Sequence, residues 1–264
     1  MLEVPLRFAV LSDEQRGEAA FAELRAMVAR GTPLRLEPVW AASHAALLAV
    51  VGAGSCDVAW APPLVAHALV RGESAVPVAV VSRAGCEAYY GALVVLRSSR
   101  ARTVRELAGL RVGWVSRLSA AGFVVPRYHL ASLGLTPERM FASETFHYSH
   151  ERLGEALLRG DVDVIGTYAH VAPDGTLEVP HVPGGRIVAA AGPIPGDVIV
   201  ARAGLDAGVT ARLAWALARA EPNPFGPLAK LLSVERFVSV REGHLEPLSQ
   251  WAMRAEGAVL RGVA

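Results

Sequence analysis

The chain has 264 residues, 52% of them hydrophobic and 19% charged, with a net charge of +1. That is a globular composition, long enough for one large domain or two modest lobes and with little room for disorder. The near-neutral charge and the scattered arginines give no field for a polyanion, which excludes nucleic acid as a partner.

Leu6-Arg7-Phe8-Ala9-Val10-Leu11 is a short β-type run, and Ala20, Phe21, Leu24, Met27 and Val28 follow at helical spacing. Gly31-Thr32-Pro33 breaks that helix, and Leu34 to Trp40 is expected as a second strand. A helix from His44 to Val51 ends at Gly52-Ala53-Gly54, and a buried strand from Asp57 to Ala61 stops at Pro62-Pro63. Further apolar strands are expected at Val76 to Val81 and Ala92 to Leu96. Thr103 with Glu106 three residues on predicts a capping box on a short helix, which leads into a strand from Val112 to Val115. Helices from Val124 to Leu133 and from Glu151 to Leu158 end at Gly134 and Gly160, and Asp163-Val164-Ile165-Gly166 is the next strand. The chain from Val209 onward is helical and is expected to pack back on the first lobe. Strands alternating with helices predict mainly parallel sheets with helices on their faces.

Two stretches rhyme. In each, a helix ends at a glycine (Gly54, Gly160), an aspartate (Asp57, Asp163) opens the next strand, and the strand runs into small or aromatic residues. Two α/β lobes built alike would present strand ends at a shared cleft, which points to Trp60 and to Thr167-Tyr168 as lining residues.

Gly52-Ala53-Gly54 lacks the third glycine of a dinucleotide fingerprint and follows a helix instead of a strand, so it is a helix end and turn. Ser116-Arg117-Leu118-Ser119-Ala120-Ala121-Gly122 lies after a strand and before a helix, where backbone N–H groups and the helix dipole converge on an anion. Ser119 either donates to an oxyanion or only caps the helix, and Pro126 should kink or delay that helix. The eight histidines show no zinc-site spacing, and no Ser, His and acid grouping carries a nucleophile signature. Tyr89-Tyr90 at a strand start could line the cleft or join the core, and Cys56 and Cys86 could pair or stay separate thiols. No apolar window approaches the roughly 18 residues a membrane span needs. Met1 to Arg7 shows no signal-peptide pattern, which leaves localisation open between a cytoplasmic protein and a trimmed exported one.

From Asp57-Val58-Ala59-Trp60 to Pro193-Ile194-Pro195-Gly196-Asp197, the ordered segments resemble the phosphonate/phosphate-type substrate-binding proteins of ABC transporters. The likeness is densest across Tyr89 to Val95, Val104 to Gly113, Ser119 to Pro126, Tyr148-Ser149-His150 and Gly160 to Val164. It implies a two-lobed type II periplasmic-binding-protein fold with two hinge crossings, near 88–95 and 188–198. Lobe 1 would hold residues 1–90 plus 195–264, and lobe 2 residues 91–194. Ser119 and Gly122 match the ends of the family's Ser-Thr-Ser-Gly anion turn, while Ala120 and Ala121 replace its middle hydroxyls. Tyr89 matches the first position of a Tyr-x-Ser motif in which Gly91 replaces the Ser, and His150 matches the family's cleft histidine. Asp197 lies where the family places an acid that meets a ligand's amino group.

The resemblance thus implies a monomeric solute-binding protein that closes over a small anion (phosphonate, phosphate, phosphite or a related oxyanion) for an ABC permease. The ligand-binding set is Trp60, Tyr89, Ser119, Ala120, Ala121, His150, Tyr168 and Asp197, with no catalytic residue, metal or cofactor. A protonated His150 would add charge to the anion site, so binding is expected to weaken as pH rises through its titration. The alternative is a cytoplasmic enzyme or ligand-sensing module on the same fold, acting on a small carboxylate.

Overall fold

Leu6, Phe8 and Val10 alternate along the first strand, β1 (Val4–Leu11), and share a core with Phe21, Leu24 and Val28 of the helix that follows, α1 (Glu14–Ala29). The computed structural model describes residues 4–83, 85–172 and 174–252. They divide into two units, residues 4–88 with 195–248 and residues 89–194 with 249–252. The lobe limits expected at residues 1 and 264 lie outside the described residues.

The first unit continues with β2 (Leu34–Ala41), α2 (His44–Gly52), β3 (Val58–Ala61), α3 (Pro63–Arg71) and β4 (Ala75–Ser82). The prolines that stop β3 also start α3: Pro63 is its first residue, where the missing N–H costs nothing. The chain crosses to the second unit early in β5 (Ala88–Leu96). After a single 3₁₀ turn (Val104–Leu107) come β6 (Arg111–Trp114), a π-helical segment (Ala120–Val124) and α4 (Val125–Ser132). The short α5 (Pro137–Met140), β7 (Ser143–Phe146), α6 (His150–Arg159), β8 (Val164–Val171), β9 (Leu177–Glu178) and β10 (Gly185–Pro195) complete that unit. The chain then returns through β11 (Val198–Arg202), α7 (Ala207–Ala218), α8 (Pro227–Leu232) and β12 (Arg236–Val238).

The first sheet has the order β12-β4-β11-β3-β1-β2. β1 pairs in parallel with β2 and β3, and the returning β11 inserts antiparallel between β3 and β4. The second sheet has the order β10-β5-β8-β6-β7, with β6 parallel to both β7 and β8 and β5 antiparallel to β8. Val209, Leu213, Ala216 and Leu217 of α7 join the same core as β1 and α1. In the second unit Leu153, Ala156 and Leu157 of α6 pack on Ala92, Val94 and Ile165 of the sheet.

The two rhyming stretches close the same clamp. In the first, Arg7 donates its main-chain N–H (2.9 Å) and Nε (3.2 Å) to Asp57 Oδ2, and its Nη2 reaches Asp57 Oδ1 and the Gly54 carbonyl. In the second, Arg111 donates its N–H (3.0 Å) and Nε (2.9 Å) to Asp163 Oδ2, and its Nη2 reaches Asp163 Oδ1 and the Gly160 carbonyl. Gly54 and Gly160 stand at φ +66° and +76°, a conformation that costs a glycine nothing and lets the turn bring its carbonyl to the arginine. Hydrogen bonds from Arg111 hold the Asp163 carboxyl below the usual range. For Asp57, burial pushes the carboxyl up, but the bonds from Arg7 and Arg202 outweigh it and the net direction is down. The capping box also forms: Glu106 accepts from the Thr103 N–H at 2.8 Å. Cys56 and Cys86 are both free thiols, the first buried and pushed up to about 11 by that burial.

Asp57→Ala should cost about 2–3 kcal/mol in urea unfolding, because it strands partly buried donors. Arg7→Ala should cost less, since Arg202 keeps its own bond to Asp57 at 3.0 Å. Both carboxyls titrate lower folded than unfolded, so their contribution is complete above the unfolded range near pH 4 and is lost as pH falls through the folded values. Asp163→Asn should flatten that acid limb in a pH series of unfolding midpoints.

Candidate anion site

Pro126 shapes the turn that follows β6. Having no N–H, it cannot donate to the carbonyl of Gly122, four residues back, and that carbonyl accepts from the Val115 N–H instead, at 3.1 Å. The helix therefore opens as a wide π segment, in which the Val124 N–H donates to the Ser119 carbonyl at 3.0 Å, and becomes α-helical only at Val125. The delay expected from Pro126 is observed, with the helix begun five residues early in its wider form. Ser119 caps it: its buried Oγ accepts from the Gly122 N–H at 3.0 Å. The hydroxyl hydrogen remains for another acceptor, so the cap and an anion contact are compatible. A Cβ on Gly122 would lie 2.5 Å from Val115 Cγ2 and 2.8 Å from Ser119 Oγ, so the turn needs a glycine there.

A second helix start meets the same strand end. The N–H groups of His147 and Tyr148 donate to the carbonyls of Trp114 and Val115, both at 2.9 Å, which carries the chain from β7 past the end of β6. Ser149 then caps α6, accepting from the Arg152 N–H at 3.3 Å, and His150 is the first helical residue. Two helix N-termini thus converge at the carboxyl end of β6, each with N–H groups that have no intrahelical acceptor. His150 Nδ1 lies 2.8 Å from Thr167 Oγ1 on β8, and its ring meets the edge of Tyr168 at 4.8 Å between centroids.

Within the second unit the structure accordingly brings Ser119, Ala120, Ala121, His150 and Tyr168 to the carboxyl end of β6 and the middle of β8; the strand end expected at Thr167-Tyr168 is not there, because β8 runs on to Val171, where it pairs with β9. Ala120 and Ala121 are buried and supply main-chain groups only. Gly91, opposite Tyr168 on β5, lies against the turn: a Cβ there would be 3.3 Å from Ala121 Cα and 3.0 Å from Pro126 Cδ. Tyr89, half-buried, stands at the start of the same strand.

In the first unit, Trp60 and Asp197 are bonded to each other. Trp60 Nε1 donates to Asp197 Oδ2 at 2.9 Å, and its ring packs edge-on against Phe237 at 5.7 Å. Arg83 donates Nη2 to the same oxygen at 2.6 Å and Nε to the Leu232 carbonyl at 2.9 Å. The carboxylate expected to meet a ligand's amino group is therefore already paired with a guanidinium. Nearby His44 is buried and neutral: burial pushes it down to about 4, against the pull of Asp197.

Sequence reasoning missed Arg83, Thr167 as a hydrogen-bonding group, and His181. His181 Nε2 lies 2.8 Å from Thr167 Oγ1, and its ring stacks on Tyr168 at 4.1 Å. Thr167 was within reach as the neighbour of Tyr168 where a strand end was expected, whereas nothing in the pattern around Arg83 or His181 marks either. Among the described residues no group of three His, Cys, Asp or Glu could hold a metal ion, and no helix is long and apolar enough to cross a membrane.

A family model described as ABC transporter, phosphonate, periplasmic substrate-binding protein matches residues 8–244. The chain belongs to this family. A search of the curated proteins found no match. Among solved structures, a binding protein component of an ABC phosphonate transporter from Pseudomonas aeruginosa superposes with a TM-score of 0.78 at 19% identity, covering 97% of this chain and 89% of that one. PhnD1 from Prochlorococcus marinus, in complex with methylphosphonate, has a TM-score of 0.78 at 13% identity, covering 96% and 98%. The periplasmic aliphatic sulphonate-binding protein SsuA from Escherichia coli has a TM-score of 0.62 at 16% identity, covering 98% and 94%. The α/β type II periplasmic-binding-protein fold expected from the sequence is the fold observed, and the family is that of transport proteins which take a small ligand to a permease.

Gly122→Ala should destabilise the protein by about 1–3 kcal/mol, since a methyl must displace Val115 or the Ser119 cap. Ser119→Ala should cost about 1 kcal/mol, the worth of an N-cap. Thermal unfolding of the two variants measures both.

Proposed function

We propose that this substrate-binding protein holds a small oxyanion, of the phosphonate, phosphite or phosphate class, for an ABC permease, and catalyses no reaction on it. The observation that carries this reading is the pair of capped helix N-termini at the end of β6. One bears Ser119 over a turn of main-chain N–H groups, and the other begins with His150. Converging N–H dipoles with a hydroxyl and an imidazole suit an anion and do not select among head groups. Relatives of the same fold, the one in complex with methylphosphonate and the other named for aliphatic sulphonates, support the same ligand class.

The alanines shift emphasis within that class. Ala120 and Ala121 contribute no hydroxyl, so the head group would be held by amides, Ser119 and His150. Each absent bond to a charged group is worth about 1.5–3 kcal/mol, so moderate affinity is expected. Trp60, Tyr89, Tyr168 and Asp197 complete the proposed ligand-binding set. The pairing of Asp197 with Arg83 leaves that acid with little net charge to offer a cationic end.

Isothermal titration with methylphosphonate, phosphite, phosphate and a small carboxylate tests this. At least one phosphorus oxyanion should bind one-to-one, and Ser119→Ala combined with His150→Ala should weaken it on the order of a hundredfold. Failure of every oxyanion to bind, or unchanged affinity in the double variant, would overturn the reading.

A further inference from the structure

Thr167 is completely buried on β8, and its hydroxyl stands between two imidazoles, with His150 Nδ1 and His181 Nε2 each 2.8 Å from Oγ1. A hydroxyl has one hydrogen, so at most one of these ring nitrogens can accept from it, and the other must donate to it. The placement of His181 decides the direction. Its Nδ1 is buried with no hydrogen-bond partner among the described residues, and the Tyr168 ring stacked on it at 4.1 Å and 25° covers a face without offering an in-plane acceptor.

If His181 Nε2 accepted, the neutral ring would carry its hydrogen on Nδ1, as a buried N–H with no acceptor. Orphaned buried N–H groups are rare in proteins, and under-satisfied acceptors somewhat less so. Donation from Nε2 leaves only that lone pair. The hydrogen of Thr167 then turns to His150 Nδ1, and His150 must carry its own hydrogen on Nε2. Burial pushes His181 down to about 4, so its ring holds a single hydrogen at neutral pH. The groups whose charges reach His181 are Glu151 on α6 and His170 on β8, which act in opposite directions.

The backbone is built for this contact. Gly154 lies on α6 one turn beyond His150, and a Cβ there would stand 3.2 Å from the His181 carbonyl, so the turn between β9 and β10 can lie directly on the helix. The rings of His150 and His181 stand 6.1 Å apart at 82°.

We propose that Thr167 and His181 are positioning residues that fix His150 as a neutral Nε2–H donor to the oxyanion, in place of the imidazolium expected from the sequence. The ligand in this statement rests on the anion-binding reading above; the tautomer does not. An imidazolium would put a hydrogen on Nδ1, facing the hydrogen of Thr167, and the chain of donors would have to reverse through His181.

Nitrogen-15 NMR of the histidine rings at neutral pH tests the tautomers in the unliganded protein, alongside calorimetry with methylphosphonate, phosphite and phosphate. In the wild type, His150 and His181 should both carry hydrogen on Nε2. Thr167→Val should leave His150 a mixture of tautomers and weaken the oxyanion that binds by about tenfold, while Thr167→Ser restores both readouts. His181→Phe, which keeps a ring against Tyr168, should likewise release the tautomer, and it carries the test with Thr167→Ser if the valine variant does not fold. Hydrogen on His150 Nδ1 in the wild type, or an unchanged tautomer in Thr167→Val and His181→Phe, overturns the proposal. The expected tautomers without binding of any of the three anions would uphold the positioning and overturn the ligand reading.

Discussion

Arg7 holds Asp57 as Arg111 holds Asp163, with a main-chain N–H and Nε on one carboxylate oxygen and Nη2 shared between the other oxygen and a glycine carbonyl. The first clamp joins the middle of β1 to the start of its parallel neighbour β3, and the second joins the start of β6 to the start of β8. Parallel strands have no hairpin turn to set their register, and a slip of one residue would turn every buried side chain outward. The clamps pin that register at the amino ends of β3, β6 and β8. The carboxyl ends are left to carry loops and helix starts, which is where ligands of open α/β sheets bind.

What happens at those ends follows from register. With Val112 opposite Val164 and Gly113 opposite Ile165, Val115 comes level with Thr167. The β6 exit, tied to Gly122, and the β8 hydroxyl, tied to two imidazoles, therefore meet at one height. In the first unit the corresponding strand end is occupied by Trp60, Asp197 and Arg83 bonded together. The two units repeat a scaffold and differ in what they place on it: amides, a hydroxyl and an imidazole in one, a compensated ion pair in the other.

Much of this was legible in the sequence, because it depends on local pattern. The helix-glycine-aspartate-strand rhyme marked both clamps through Gly54 with Asp57 and Gly160 with Asp163, although the arginine partners lie 50 and 52 residues away. Ser119 and Pro126 foretold a capped and delayed helix, since a cap and a missing N–H act within one turn. β11 was not legible as the strand between β3 and β4, because that pairing joins residues such as Trp60 and Asp197 across 137 positions with no local signal. Arg83 was hidden for the same reason. His181 sits in a turn without periodicity, and its contacts with Thr167 and Tyr168 exist only once that turn lies on the bare Gly154 face of α6.

The close approach at Gly91 joins β5 to the turn that follows β6. A side chain at 91 would meet the Ala121 Cα and carbonyl oxygen, both at 3.3 Å, and Pro126 Cδ at 3.0 Å, so the bare glycine lets the main chain of the turn lie directly on the strand. Any residue larger than glycine at position 91 would have to move that main chain, and with it the amides that the turn presents, so this one position sets how closely the turn can stand to the sheet.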